Sequence, residues 1–362
     1  MGLMVAMGKT DLLGNLLRDV SRSFYRTLRV LPLEVRAQIS LAYLLARTAD
    51  TIADSELLPQ TKRLPRLLLF RKQFTHAIDP SEIKAIIQSG ASQPEQKPDA
   101  ERQLLVRLNE SFDLFQSLEP GDRGRVADVV VSLTRAMELD LQRFSPQRSI
   151  LSPRISAMGA LNTFEDLEEY TYHAAGCVGP FWTRMCIARL PAFQKWNVEE
   201  MCALGIRFGK ALQWTNVLRD APRDLHRGRC YLPSRDLQSV GLIPADLQNP
   251  SSFARFRPVY QRYLDHALEH YRAAWRYTMA IPKSCPRARL ACIFPIWIGL
   301  ETVALLRHSK NPLDPARRIR ISRSRVYAIM GLGVASVWSD HLLDAHCQKL
   351  FRNAESPSKM QT

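Results

Sequence analysis

Apolar residues recur at helical spacing along almost the whole chain. Positions three and four apart read as amphipathic helices. They mark Lys9 to Leu28, Pro32 to Ala53, Leu57 to Ala77 with a break near Pro65, Ala100 to Ser117 and Gly121 to Arg143. They continue through Thr163 to Leu190, Val198 to Arg219, Phe253 to Ala280, Arg287 to Leu306 and Arg323 to Phe351. The alternation of a strand is confined to Arg318 to Val326, where Ile319 and Ile321 alternate with Arg320 and Ser322. Loops are expected at Gln88 to Asp99, at Ser145 to Ser156 and from Arg227 to Ser252, where Pro, Gly, Ser and Asn gather. With no repeat and no dividing linker, the pattern predicts one all-α domain over residues 1–352. Residues 353–362 are expected to form a disordered tail.

Two helices break the rule that an apolar segment stays apolar. Tyr43, Arg47, Asp50 and Asp54 stand at offsets 0, 4, 7 and 11, among Ile39, Leu41, Leu44 and Leu45. Gln213, Asn216, Asp220 and Asp224 stand at offsets 0, 3, 7 and 11, among Ala211, Leu212, Val217 and Leu218. At about 100° per residue each set is one stripe. A polar stripe on a core-type helix is costly unless it faces a cavity, and two such stripes could face each other across one. Either run alone reads as a solvated face. The pair, with Arg47 and Arg219 beside it, points to a hard divalent cation, because Mg²⁺ takes one or two carboxylates plus substrate phosphates. Mn²⁺ could take its place. Pro222 is expected to kink or end the second helix, which would move Asp224 off the ideal stripe.

Composition narrows the picture further. The hydrophobic fraction of 46% is a globular value. The most apolar stretch, Leu290 to Leu306, contains Pro295 and Glu301 and reads as a buried helix, so no membrane span is expected. Met1 to Val5 lacks a basic flank, so no secretory signal is expected. Seven cysteines without a Cys-x-x-Cys predict reduced thiols and a cytoplasmic protein. The net charge is +15, and about half of the excess lies between Ile281 and Arg325, where only Glu301 and Asp314 oppose the basic residues. Such a cluster suits anionic lipid or a phosphorylated small molecule, or it is a solvated face. Basic residues interleaved with exposed aromatics, which nucleic acid would require, are not evident, so no nucleic-acid partner is expected.

Further residues could carry chemistry. Arg22, within Ser21-Arg22-Ser23-Phe24, offers donors that suit phosphate oxygens, although a capping serine and an exposed arginine explain the motif equally well. In Tyr170 to Pro180, Gly176 and Gly179 interrupt a helical segment at ~1 kcal/mol each. They imply close helix contact or room beside a ligand. Tyr170 could handle a proton or face a carbocation, or be a core tyrosine with a bonded hydroxyl. His173 has no second histidine at ligand spacing and reads as a packed helix residue.

Taken together these residues resemble the squalene and phytoene synthase family, over about residues 15 to 340. Ser21 to Phe24 is similar to its substrate-binding arginine motif. Tyr43 to Asp54 and Gln213 to Asp224 resemble its two aspartate-rich motifs, Tyr170 to Gly179 its Tyr-x-x-x-x-Ala-Gly-x-Val-Gly signature, and Gly228 to Pro233 its flap. The resemblance implies a single-domain isoprenoid synthase fold with helices around a deep central pocket. It implies metal ligation by Asp50, Asp54, Asp220 and Asp224, with Tyr170 catalytic. Substrate contacts would come from Arg22, Ser23, Phe24, Tyr43, Arg47, Gln213, Asn216, Arg219 and Arg229.

The implied reaction joins two farnesyl diphosphates head to head into presqualene diphosphate, which a squalene synthase then rearranges and reduces with NADPH. Arg320 and Arg323 lie on a segment similar to the one that holds NADPH phosphates, with Ser322 at an arginine position, and Asn216 is similar to an asparagine beside the nicotinamide. This favours a squalene synthase of bacterial type, expected to act as a monomer and to touch the inner face of the membrane peripherally. A phytoene or dehydrosqualene synthase that omits the hydride is the alternative. A relative without catalysis, serving as an assembly or binding protein, is the reading from another class, and the four aspartates speak against it.

Overall fold

The computed structural model describes residues 11–21, 24–55, 57–91, 100–144 and 158–356. These residues are predominantly helical, and they form two compact units. The first takes the chain up to residue 141 and again over Phe181–Gln194; the second takes Gln142–Pro180 and Lys195 onward.

In the first unit a π-helical turn, Leu12–Leu16, leads into α1 (Leu17–Ser21) and α2 (Phe24–Val30). Then come α3 (Leu33–Asp54), α4 (Gln60–Thr75), α5 (Pro80–Ala91), α6 (Ala100–Val106), α7 (Leu108–Gln116) and most of α8 (Pro120–Arg143). The body of α10 (Val178–Arg189) also belongs here. Helix α3 packs on α4, α6 and α7 and buries Leu41, Leu44, Leu45, Ala49 and Ile52. Phe70 and Phe74 of α4 meet Phe112 and Phe115 of α7 with ring centroids 5.2–5.8 Å apart, within the range of favourable aromatic pairs. Asp122, only 2% exposed, accepts from Gln38 of α3, Arg125 of α8 and Arg189 of α10. A buried carboxylate is tolerated there because three donors converge on it.

The second unit is built on α11 (Val198–His226) and α13 (Phe253–Met279), which lie against each other along their length. It also contains α9 (Phe164–Thr171), α12 (Ser234–Gln238), α14 (Pro286–His308), α15 (Arg323–Ser336) and α16 (Asp340–Glu355). Helix α14 is long and apolar enough to cross a membrane, with a mean hydropathy of 1.7. Two thirds of that window is buried, and α14 packs on α11, α13, α15 and α16. It behaves as the core helix expected from Pro295 and Glu301. All seven cysteines carry free thiols, as expected.

Several boundaries differ from the periodic reading. The expected helix over Ala100 to Ser117 breaks at Arg107, whose φ of −94° and ψ of 19° leave helical geometry. The one over Thr163 to Leu190 is interrupted by a π-helical turn, Tyr172–Gly176. Arg323 to Phe351 divides at Ser339, whose side chain caps α16, and α16 continues past Arg352 to Glu355. Residues 357–362 lie outside the described residues. Helix α4 runs unbroken through Pro65. Helix α5 reaches into the expected loop at Gln88. No strand forms over Arg318 to Val326: among the described residues the chain has no strand partner there, and Ser322 caps α15. The alternation of Ile319 and Ile321 has no neighbouring strand to pair with, and a strand needs one. A two-residue parallel bridge forms instead between β1 (Gly159–Ala160) and β2 (Arg229–Cys230).

Candidate functional site

In the first unit the expected stripe is present on α3. Tyr43, Arg47 and Asp50 are half-buried and Asp54 is exposed. Arg47 donates to Asp50 Oδ2 through one nitrogen, and through Nη2 to Glu101 Oε1 at 2.6 Å. Glu101, on α6, was invisible to a reading of α3 alone. Desolvation raises the Asp50 carboxyl above its ordinary value. Arg47 pulls it down, while Asp54 and Glu101 push it further up. Desolvation likewise raises the Tyr43 phenol. A partly desolvated carboxyl with a second one a turn away suits a divalent cation. Phe24 opens α2; Arg22 and Ser23 lie outside the described residues.

In the second unit α11 holds the other stripe. Gln213, Asn216, Arg219, Asp220 and Asp224 are all half-buried. Arg219 grips Asp220 with two parallel bonds, Nε to Oδ1 at 3.0 Å and Nη2 to Oδ2 at 2.7 Å, the planar match of guanidinium and carboxylate. Arg223 approaches Asp220 at 3.6 Å and Asp224 at 3.7 Å. Asn216 donates to Gln213 Oε1 at 3.4 Å. Burial raises the Asp224 carboxyl; Arg223 lowers it, Asp220 raises it, and Arg229 and Arg227 lower it.

Pro222 does not end the helix, which continues to His226, so Asp224 stays one turn beyond Asp220. The carbonyl that Pro222 cannot pair with, that of Leu218, accepts from the buried hydroxyl of Tyr260 at 3.1 Å, so it is not left unsatisfied.

Tyr170 ends α9 and is 9% exposed. Its ring lies 4.7 Å from that of Tyr231, in the segment following β2. Main-chain bonds hold the two segments together. Leu161 N donates to Cys230 O at 3.0 Å, Ser234 N to Leu161 O at 2.9 Å and Arg235 N to Asn162 O at 3.1 Å. Gly228, at φ +75°, makes the turn into β2. Helix α9 starts in register because Thr163 and Asp166 form a capping box, and Arg143 forks onto Asp166 at 2.9 and 3.2 Å. Asp224, Arg229, Tyr231, Val217 and Cys230 line one small pocket.

The glycines act as the sequence suggested, with partners it did not name. A Cβ on Gly179 would lie 2.1 Å from the backbone carbon of Gly205, and one on Gly209 would lie 2.2 Å from Ala175 O. The segment after Tyr170 therefore rests directly on the α11 backbone.

A cluster that the sequence reading missed lies behind the stripe. Glu168 accepts from Lys210 at 2.7 Å and from Trp214 at 2.7 Å, and faces His266 Nε2 at 2.9 Å. His270 lies 3.1 Å from His266. Burial alone would raise the Glu168 carboxyl, but its bonds to His266, His270, Lys210 and Trp214 hold it well below the ordinary range. The Glu168, His266 and His270 ligand atoms lie within 4.8 Å of one another. The adjacent lysine ammonium opposes a second cation, so the cluster reads as a satisfied polar network that anchors Trp214. The four-residue spacings Lys210–Trp214 and His266–His270 were the available signals. His173, expected to be packed, sits half-buried in the π-helical turn with its ring 5.1 Å from Tyr172.

Arg320 and Arg323 are exposed where the chain enters α15. With Arg318 they form no ion pair among the described residues. Arg317 and Arg325 are engaged with Asp314 and Glu301. Free guanidinium groups fit a phosphorylated cofactor.

The chain is similar to known proteins. The squalene/phytoene synthase family model matches residues 17–325. Phytoene synthase of Mycobacterium tuberculosis is 26% identical over 324 residues, covering 88% of this chain and 88% of that protein. Squalene synthase of Eremothecium gossypii is 23% identical over 306 residues, 84% of this chain and 64% of that one. The solved complex of TcSQS with a ligand matches with a TM-score of 0.69 at 17% identity, over 96% of this chain and 97% of that one. The fold is the all-α isoprenoid synthase fold. With a family match that spans both acidic stripes and the Tyr170 segment, the chain belongs to the squalene/phytoene synthase family.

Proposed function

We propose that the protein is a prenyltransferase that joins two farnesyl diphosphates head to head and then reduces the product to squalene with NADPH. The observation that carries this reading is the pair of aspartate stripes, each with an arginine on its first, half-buried carboxylate, Arg47 on Asp50 and Arg219 on Asp220. Mg²⁺, or Mn²⁺, held by Asp50, Asp54, Asp220 and Asp224, would supply charge neutralisation for a leaving diphosphate. Arg47, Arg219 and Arg229 supply donors for phosphate oxygens.

One farnesyl C–O bond breaks, and diphosphate leaves with the electron pair. The 2,3-double bond of the second molecule attacks the allylic cation, and loss of a proton closes the cyclopropane of presqualene diphosphate. Tyr170, with Tyr231 against it, would guide that proton and face the cation. The reaction requires walls that exclude water, which would otherwise trap the cations as alcohols. In the second half-reaction the remaining diphosphate leaves, the carbon skeleton rearranges, and hydride from NADPH quenches the final cation. Arg320 and Arg323 would hold the cofactor's phosphates and Asn216 would lie near the nicotinamide.

A reading without hydride is favoured by one observation: phytoene synthases are among the relatives at 26% identity. Product analysis from farnesyl and geranylgeranyl diphosphates, with and without NADPH, decides between them. Squalene that forms only with NADPH supports the first reading. The same hydrocarbon in both conditions replaces it with a proton-loss synthase, and absence of any condensation assigns the chain to a non-catalytic role. Arg320→Ala with Arg323→Ala should raise the Michaelis constant for NADPH by about ten- to a hundred-fold and leave diphosphate release in the first half-reaction intact.

A further inference from the structure

We propose that the outward face of α15 docks on an anionic lipid bilayer. From Val326 to Trp338 the chain has no charged residue. A helix that is apolar all round is normally buried all round. Yet α15 buries only Ile329, Gly333 and Ser336. Its other side is open to solvent: Tyr327 is 56% exposed, Val334 50% and Trp338 61%. With Gly331, Tyr327 and Val334 fall at offsets 0, 4 and 7, which is one stripe, and Trp338 follows in the turn just after the helix. Leu332 and Leu342 are exposed as well. Single exposed apolar residues are ordinary, but an apolar stripe marks an interaction surface.

The charge at the start of the helix selects the occupant. Arg318, Arg320 and Arg323 are exposed and form no ion pair among the described residues; without NADPH all three face lipid, and with its phosphates on Arg320 and Arg323, Arg318 still does. The acids of this segment are already taken, Asp314 by Arg317 and Glu301 by Arg325. A second copy of the chain would bring the same arginines and the same occupied acids. An anionic bilayer supplies the missing counter-charge and, just beneath it, an apolar layer for Val334. Tyr327 and Trp338 carry the amphipathic rings that settle at the headgroup boundary. The proposal rests on the reaction above only for its purpose, the delivery of a hydrocarbon into lipid.

Flotation of the full chain with vesicles tests it, without substrate, so that binding is read apart from turnover. Vesicles of phosphatidylcholine mixed with phosphatidylglycerol should carry the protein up, phosphatidylcholine alone should carry less, and added salt should weaken the binding. Val334→Glu combined with Trp338→Glu, both on the exposed side, should lower binding by about tenfold or more, with the circular dichroism spectrum and melting temperature unchanged. Trp338→Phe should retain binding. A wild-type protein that stays unbound overturns the proposal, as does a double variant that floats like wild type. A wild-type dimer that the double variant dissociates would assign the face to a second copy instead. A chain that binds vesicles yet releases no diphosphate would refute the reaction and leave this surface standing.

Discussion

The Tyr260 hydroxyl donates to the Leu218 carbonyl at 3.1 Å, and Leu218 is the residue whose acceptor Pro222 strands. A proline inside a helix removes the bond to the residue four before it. Here a tyrosine from α13 restores it, inside a fully buried environment that raises the phenol's pKa. Tyr260→Phe should therefore cost about 1–3 kcal/mol, the penalty of an unsatisfied buried carbonyl. In a Pro222→Ala background the helix regains its own N–H, so the same change should cost much less. Denaturant midpoints of the four proteins check this, and equal costs in both backgrounds would refute it.

With the helix intact through Pro222, Asp224 shares the stripe with Asp220. Asp224→Asn should therefore reduce diphosphate release as severely as Asp50→Asn or Asp220→Asn, by at least about a hundredfold. Thermal melting should show all three variants folded. A near-wild-type rate from any of them would remove that carboxylate from the metal site.

The contact of Gly179 with Gly205 leaves no room for a methyl group. Gly179→Ala should destabilise the protein by about 1–3 kcal/mol through overpacking. Gly124→Ala, on α8 with nothing within 4 Å of the added carbon, should be neutral or stabilise by up to ~1 kcal/mol. Chemical denaturation of the pair measures the contrast.

Asp166 offers a pH test. Its bonds to Arg143 are the largest cause that lowers its pKa from 3.8 to about 2, with the Asn162 and Thr163 amides adding to the pull. A carboxyl lowered in the folded state stabilises fully above its unfolded value. That contribution should fade as pH falls from about 4 toward 2. Asp166→Asn should lower stability at neutral pH and flatten this part of the acid limb, as read from melting temperature against pH.

The repeated 3.6-residue pattern made the helical class legible, because each long helix buries one side: Leu41, Leu44 and Leu45 on α3, Tyr260, Leu264 and Leu268 on α13. The stripes were legible for the same reason, as polar positions at core spacing. What remained hidden depends on residues far apart in sequence. Pro222 predicts a stranded carbonyl at Leu218, and only Tyr260, 38 positions on, satisfies it. Gly179 signals close contact but not that Gly205 supplies the other side. Arg47 reads as part of the α3 stripe, while its second partner, Glu101, is on another helix. Ile319 and Ile321 alternate like a strand, and local pattern cannot say that no neighbour comes to pair with them.

The clip between residues 159–162 and 228–235 is made from peptide groups. Side chains in its path can therefore change while the register of Tyr170 against Tyr231 is kept, provided that Gly228 keeps its turn and Gly159 keeps its space beside Phe144. Pocket walls on such a frame are free to drift in size and polarity, and a change of substrate length need not disturb the frame that positions the tyrosine pair.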